Sequence, residues 1–255
     1  MDVELIIDGL TVSAPEGSSL LTAARAAGRD VPGLCHHDAV APNASCRLCL
    51  VEIRRPGKDW TQLTTSCDYP VSAGLDVVTD SARIREMRAM NVKLLQRRAP
   101  EAPLLLELAE KLGAGPSPFA PVDDAPLPDC ILCELCVRAC SAAGYDALAV
   151  SGRGSGKYVG PAFGHAAADD CVGCGTCWEL CPTDCIEMVD TATTRTIWGR
   201  TFDLLTCERC GRPITTREHR STIDAGLAHK EEETAAEMCD VCKRRLSSEK
   251  LTALI

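Results

Sequence analysis

Residues 130–140 read CILCELCVRAC, and residues 171–182 read CVGCGTCWELCP. Both are C-x2-C-x2-C-x3-C, so the chain carries an internal repeat. Three thiolates on a tight loop can hold three corners of a [4Fe–4S] cluster, and in a doubled run the fourth cysteine ligates the other cluster. The spacing therefore groups Cys130, Cys133 and Cys136 with Cys181, and Cys171, Cys174 and Cys177 with Cys140. The crossed pairing makes the two cubanes neighbours in one small fold. Two zinc sites would not need a doubled four-cysteine run. Cys181 is followed by Pro182, whereas Cys140 is followed by Ser141. Cys185 is left over and reads as a buried spare thiol.

Upstream, Cys35, Cys46, Cys49 and Cys67 are spaced C-x10-C-x2-C-x17-C. Three thiols near one loop and a fourth from a distant strand suit [2Fe–2S] coordination. The x10 gap departs from the plant-type C-x4-C-x2-C. Zinc is the alternative, although zinc sites usually pair two short knuckles and only one is present. Asn43, Ala44 and Ser45 are small or polar, which would let backbone N–H groups approach the sulfurs. His36 and His37 follow Cys35, but four cysteines are already present, so neither is needed as a ligand. Downstream, Cys207-x2-Cys210 and Cys239-x2-Cys242 form two knuckles suited to a tetrahedral S4 site. Zinc is the first choice, a rubredoxin-like iron the alternative, and a further cluster the third possibility.

Seventeen cysteines in 255 residues is far above ordinary usage, and aromatic content is only 4%. Metal–thiolate bonds are the expected substitute for large aromatic cores. A disulfide scaffold fits poorly: the count is odd, and the opening MDVELIIDG lacks the basic and apolar regions of a secretory signal. A cytoplasmic location is expected, where thiols stay reduced. No stretch is apolar enough for a membrane span. A net charge of −9 argues against nucleic acid as a partner. The local exception is Arg83, Arg85, Arg88, Lys93, Arg97 and Arg98, read as a solvated helix face or a docking face. The segment SGRGSGKYVG lacks the phosphate-loop pattern and reads as a turn between strands, and no G-x-G-x-x-G is present.

Residues 3–14 read as a hairpin turning at Asp8-Gly9. Ser18 or Ser19 can cap the helix LLTAARAAG. Strands are expected over 46–53 and 61–66. Residues 81–98 read as a helix capped by Ser81, with Ile84, Met87, Met90 and Leu94 in helical register. A shorter helix, PLLLELAEKLG, precedes a proline-rich strap over 113–129. TRTIWGRTF opens the last stretch as strand. The fold class is α+β in four parts: a β-grasp [2Fe–2S] domain (1–80), a helical connector with strap (81–129), a two-cluster ferredoxin domain (130–190) and a zinc-ribbon-like four-cysteine module (191–255).

The motifs PEGSSLLTAARAAG, VPGLCHH, CRLCLVEI, TTSCDYPV, VVTDSARIREMR and DCILCELCVRAC, then RG, FG and CVGCGTCWELCP, follow one another in a familiar order. Residues 1–190 resemble the diaphorase iron–sulfur subunit of NAD-linked hydrogenases, and equally the N-terminal part of the large iron–sulfur subunit of respiratory complex I and of iron-only hydrogenases. One departure is clear. Where that family places one histidine and three cysteines for a further cluster, this chain has RRAPEAPLLLELAEKLG. The tail weakly resembles the ends of some ferredoxin-like hydrogenase subunits. The resemblance implies an electron-transfer subunit in a hetero-oligomer, placed between a flavin-containing NADH-oxidising subunit and a catalytic hydrogenase, formate dehydrogenase or other reductase. It implies no substrate site on this chain. A free polyferredoxin-type carrier and a zinc-scaffolded interaction protein are the competing readings.

Overall fold

The chain is described from a computed structural model over residues 1–122, 127–161, 168–226 and 237–252. Strands β1 (Asp2–Ile7) and β2 (Leu10–Pro15) form the expected antiparallel hairpin, with Asp8 and Gly9 both at positive φ. Leu5 and Ile7 point inward while Ile6 is exposed, the alternation of a one-sided sheet. Helix α1 (Leu20–Ala26) buries Leu20, Leu21, Ala23 and Ala24 against that face. Neither expected serine caps it. Ser18 Oγ donates to the carbonyl of Pro15 at 2.6 Å and Ser19 Oγ to that of Ser66 at 3.3 Å.

Strand β3 (Leu50–Arg54) starts four residues later than expected. The preceding residues bend around the cysteine loop, where Arg47 has φ +55°. β4 (Gln62–Thr65) lies near its expected place. β5 (Asp76–Val78) was not legible, being only three residues long. β5 runs parallel to β1 and antiparallel to β3, giving the sheet order β2-β1-β5-β3-β4.

Helix α2 (Ala82–Gln96) is capped as expected: Ser81 Oγ accepts from the Ile84 N–H at 3.2 Å. Its buried face is Ile84, Arg88, Val92 and Gln96. Met87, Met90 and Leu94, which share its helical register with Ile84, are 39%, 43% and 47% exposed. The core selects the strict four-residue step, and a charged residue takes one of its positions. Helix α3 (Pro103–Lys111) packs on α2 through Leu105 and Ala109. The strap lies along α2: Ser117 Oγ donates to the Lys93 carbonyl (2.9 Å) and Val122 N–H to that of Arg97 (2.8 Å). Its residues 123–126 lie outside the described residues, as do Phe163-Gly164 of the FG motif.

In the second half, α4 (Leu135–Ala142) is followed by the hairpin β6 (Leu148–Ser151) and β7 (Tyr158–Pro161), joined by the glycine-rich turn as expected. Short α5 (Thr176–Glu179) follows the second cysteine loop. Strands β8 (Met188–Asp190), β9 (Thr194–Ile197), β10 (Arg200–Thr206) and β11 (Pro213–Thr216) form one sheet in the order β11-β10-β9-β8. That sheet crosses the division expected at 190/191. Ile197 and Phe202 are buried in the same cluster as Cys130 and Cys136, so the strands after residue 190 complete the core of the doubled cysteine run. Helices α6 (Arg217–Gly226) and α7 (Asp240–Thr252) flank the tail, and residues 227–236 between them lie outside the described residues.

Candidate metal centres

The two cysteine runs share one backbone. In the first, Leu132 and Glu134 have φ +54° and +61°, and in the second the equivalent Gly173 and Gly175 have φ +63° and +84°. Alternating right- and left-handed residues turn successive N–H groups toward one point, a concavity suited to an anion. A left-handed non-glycine costs roughly 1–2 kcal/mol, so the first loop carries strain that the second avoids. Glu134 is held in that conformation by Lys157 Nζ (2.9 Å) and Asn43 Nδ2 (3.0 Å).

Cys130, Cys133 and Cys136 are buried, whereas Cys140, Cys171, Cys174, Cys177 and Cys181 are half-buried. Burial pushes the Cys133 thiol up to about 12 and the Cys177 thiol up to about 11. These two metal-free thiols hold their protons, which a metal must displace on binding. Trp198 Nε1, in the turn between β9 and β10, donates to Cys177 Sγ at 3.4 Å. Cys185 is half-buried and stands inside the first set, its Sγ 3.5 Å from that of Cys181. Its hydrogen bond holds Cys181 down to about 5. The thiol expected as a buried spare is thus a neighbour of two candidate ligands, Cys181 and Cys130.

At the first centre Cys35, Cys46, Cys49 and Cys67 are all buried. The N–H of Leu34 donates to Cys46 Sγ (3.4 Å) and that of Cys46 to Cys35 Sγ (3.5 Å). Hydrogen bonds from Cys46 and Cys67 lower Cys35. Such N–H···S bonds favour sulfur bearing negative charge, as it does when bound to iron. The Asn43 and Ser45 side chains do something the sequence did not suggest. They reach across to the other half, Asn43 to Glu134 and Ser45 Oγ to the Cys133 carbonyl (3.4 Å). His36 is largely buried and lowered by desolvation, and His37 is exposed.

The basic run over 83–98 is neither wholly solvated nor wholly available for docking. Arg88 is 3% exposed, its Nη2 donating to the carbonyls of Leu50 (2.7 Å) and Thr79 (3.1 Å), and burial lowers its pKa. Arg98 donates to the carbonyls of Cys130 (3.1 Å), Ser155 and Lys157. Arg138, between Cys136 and Cys140, donates to the carbonyls of Cys35 (2.6 Å), Cys133 (3.2 Å) and Ala41. Around the second run, Arg195 donates to the carbonyls of Gly173 and Cys174, both at 3.1 Å, and Arg200 to that of Cys171 at 3.3 Å. The Cys35 loop and both cysteine runs thus each have a guanidinium on their carbonyls. Of these, Arg138 had a legible signal, a charged residue inside a cysteine run.

The two halves meet at the first centre. Cys35, Cys46 and Leu48 pack in one buried cluster with Val92, Leu105, Ile131, Cys133 and Leu135. In the tail, the sulfurs of Cys207, Cys210, Cys239 and Cys242 all lie within 4.8 Å of one another, with Cys210 exposed and the others buried. Tetrahedral bonds of ~2.3 Å put sulfurs roughly 3.8 Å apart, which is the Cys210–Cys239 separation of 3.8 Å. Cys207 is held down to about 6, first by the Cys239 backbone N–H, while burial pushes Cys242 up to about 12. Among the described residues no helix is long and apolar enough to cross a membrane.

Residues 1–82 match the 2Fe-2S iron-sulfur cluster binding domain family, and residues 122–188 match the 4Fe-4S dicluster domain family. The chain is 33% identical over 207 residues to the NADP-reducing hydrogenase subunit HndD of Solidesulfovibrio fructosivorans, covering 70% of this chain and 35% of that protein. It is 32% identical over 183 residues to the mitochondrial NADH-ubiquinone oxidoreductase 78 kDa subunit of Candida albicans, covering 62% of this chain and 25% of that one. The NADPH-Fe(3+) oxidoreductase subunit alpha of Geobacter sulfurreducens is 30% identical over 203 residues, covering 71% and 23%. The chain therefore spans between about a quarter and a third of the length of these curated relatives. A crystal structure of NAD+-reducing [NiFe]-hydrogenase in the H2-reduced state superposes with a TM-score of 0.55 at 31% identity, covering 63% of this chain and 75% of that one. Taken with the paired cysteine loops, these matches establish that the chain belongs to the iron–sulfur family that joins a 2Fe-2S domain to a 4Fe-4S dicluster domain and includes subunits of NAD(P)-linked hydrogenases and of NADH–ubiquinone oxidoreductase.

Proposed function

We propose that this chain is an electron-transfer subunit relaying single electrons between a flavin-containing NAD(H) subunit and a catalytic subunit, a hydrogenase, formate dehydrogenase or other reductase. In this reading Cys35, Cys46, Cys49 and Cys67 hold a [2Fe–2S] cluster in a β-grasp domain. Cys130, Cys133 and Cys136 with Cys181, and Cys171, Cys174 and Cys177 with Cys140, hold two [4Fe–4S] clusters. Cys207, Cys210, Cys239 and Cys242 hold a structural zinc in a ribbon-like module. The bound clusters supply the one-electron chemistry. The chain's residues position them, exclude water and set their potentials through N–H···S bonds and buried charge.

The observation that carries this reading is the shared packing of Cys35, Cys46 and Cys133 in one core. It supports a direct passage from the first centre to the first cubane, without the further cluster whose histidine and three cysteines this chain lacks. The half-buried second cubane set is then the end at which electrons pass to a partner. The test is anaerobic purification from the native host followed by NADH addition. A co-purifying flavin subunit, with bleaching by NADH only in the complex, is expected. Rapid bleaching of the isolated chain by NADH, or a stable monomer with no partner, would contradict the subunit role and favour a free carrier.

A further inference from the structure

We infer that Arg138 is a positioning residue that locks the first metal loop to the first cubane loop and places one fixed positive charge between them. The inference rests on the ligand assignment just proposed. Arg138 lies on α4 between Cys136 and Cys140. Its Nη2 is shared by the carbonyls of Cys35 (2.6 Å) and Cys133 (3.2 Å), residues from the two separate sets, and its Nη1 donates to Ala41. No other described side chain is hydrogen-bonded to ligand carbonyls of both sets. Two weaker ties run beside it, Ser45 to the Cys133 carbonyl and Asn43 to Glu134.

The charge has no counter-ion in the described polypeptide. Among the described residues no carboxylate lies within ion-pair distance of Arg138, and its Nε is buried without a partner. The nearby Glu134 is paired instead with Lys157, at 2.9 Å. A guanidinium does not deprotonate in a protein, so it is a permanent cation beside two centres. An oxidised [2Fe–2S] cluster on four thiolates is a dianion and its reduced form a trianion, and a [4Fe–4S] cluster likewise gains negative charge on reduction. A fixed cation favours the more negative state at both. The planar fork also fixes the spacing of the two loops, which a single ammonium point charge cannot do.

The test is an EPR-monitored redox titration of the full anaerobic chain, comparing wild type with Arg138→Met and Arg138→Lys. In Arg138→Met, the [2Fe–2S] cluster and one cubane are each expected to show about a tenfold lower reduced-to-oxidised ratio at fixed potential, about 59 mV. The other cubane, gripped by Arg195 and Arg200, should not move, and so serves as an internal control. Arg138→Lys keeps the charge and should recover most of both shifts. Unchanged potentials in loaded Arg138→Met, or an equal shift of all three clusters, would overturn the inference. If Arg138→Met fails to load, the neutral but hydrogen-bonding Arg138→Gln decides: lowered potentials at the same two centres with the other cubane unmoved support the charge role, and native-like potentials or an equal shift of all three clusters overturn it. A wild-type chain with no [2Fe–2S] signal would instead overturn the ligand assignment, and the inference with it.

Discussion

Trp198 Nε1 stands 3.4 Å from Cys177 Sγ, an N–H donor aimed at a candidate ligand. Removing it by Trp198→Phe keeps an aromatic ring and deletes the bond. A hydrogen bond is worth about 1 kcal/mol net. If that preference is for the reduced state, the potential of one cubane should fall by roughly 40 mV, read by redox titration. No shift in either cubane would show that the contact does not tune a cluster. Cys185 gives a second residue-scale test. Its sulfur is 3.5 Å from that of Cys181, yet the crossed pairing already supplies both cubanes. Cys185→Ala should leave the iron content unchanged and Cys181→Ala should lower it, and the reverse pattern would exchange their roles. That the cysteines gather into groups was legible in the sequence, because short repeated spacings bring their side chains together. The inward turn of Arg88 and Arg98 was not, since nothing in a basic run distinguishes them from Arg85, which stays in solvent with Asp80.

At the scale of elements, the second cysteine loop depends on Gly173. A Cβ there would stand 2.7 Å from the Phe202 ring, and the residue has φ +63°. Gly173→Ala should destabilise this loop by roughly 1–3 kcal/mol, from left-handed strain and overpacking. The expected readout is selective loss of the cubane held by Cys171, Cys174 and Cys177. Equal loss of both cubanes would place the damage elsewhere. On α2, Ser81→Ala removes the cap on Ile84 and should cost about 1 kcal/mol, seen as a lower unfolding midpoint at unchanged iron content. The same elements show where periodicity succeeds and fails. The β1–β2 hairpin and the Ser81 cap rest on local chemistry and were readable. The face of α2 was not, because Arg88 takes a core position that a hydrophobic pattern assigns to an apolar residue. β5 owes its existence to pairing with β1 and β3, a long-range term that three residues do not encode.

At the scale of the molecule, the described residues pack around the candidate metal centres. The sheet β8–β11 joins the doubled cysteine run to the tail: Thr216 Oγ1 donates to the Val172 carbonyl, and Cys207 follows directly on β10. The division expected at residue 190 falls inside that sheet, where β8 pairs with β9 across it. The tail site should nevertheless be separable in metal content. Cys239→Ser is expected to release one zinc while leaving the iron in place, by elemental analysis, and a parallel loss of iron would mean that the tail site is itself iron-bearing. The central claim, that twelve of the thirteen upstream cysteines hold three clusters, is tested most directly by counting iron and acid-labile sulfide in the anaerobically purified chain, with EPR after dithionite reduction. The expected result is a brown protein with about ten irons, giving one [2Fe–2S] and two [4Fe–4S] signals. A colourless protein with zinc at those cysteines and no labile sulfide would contradict it.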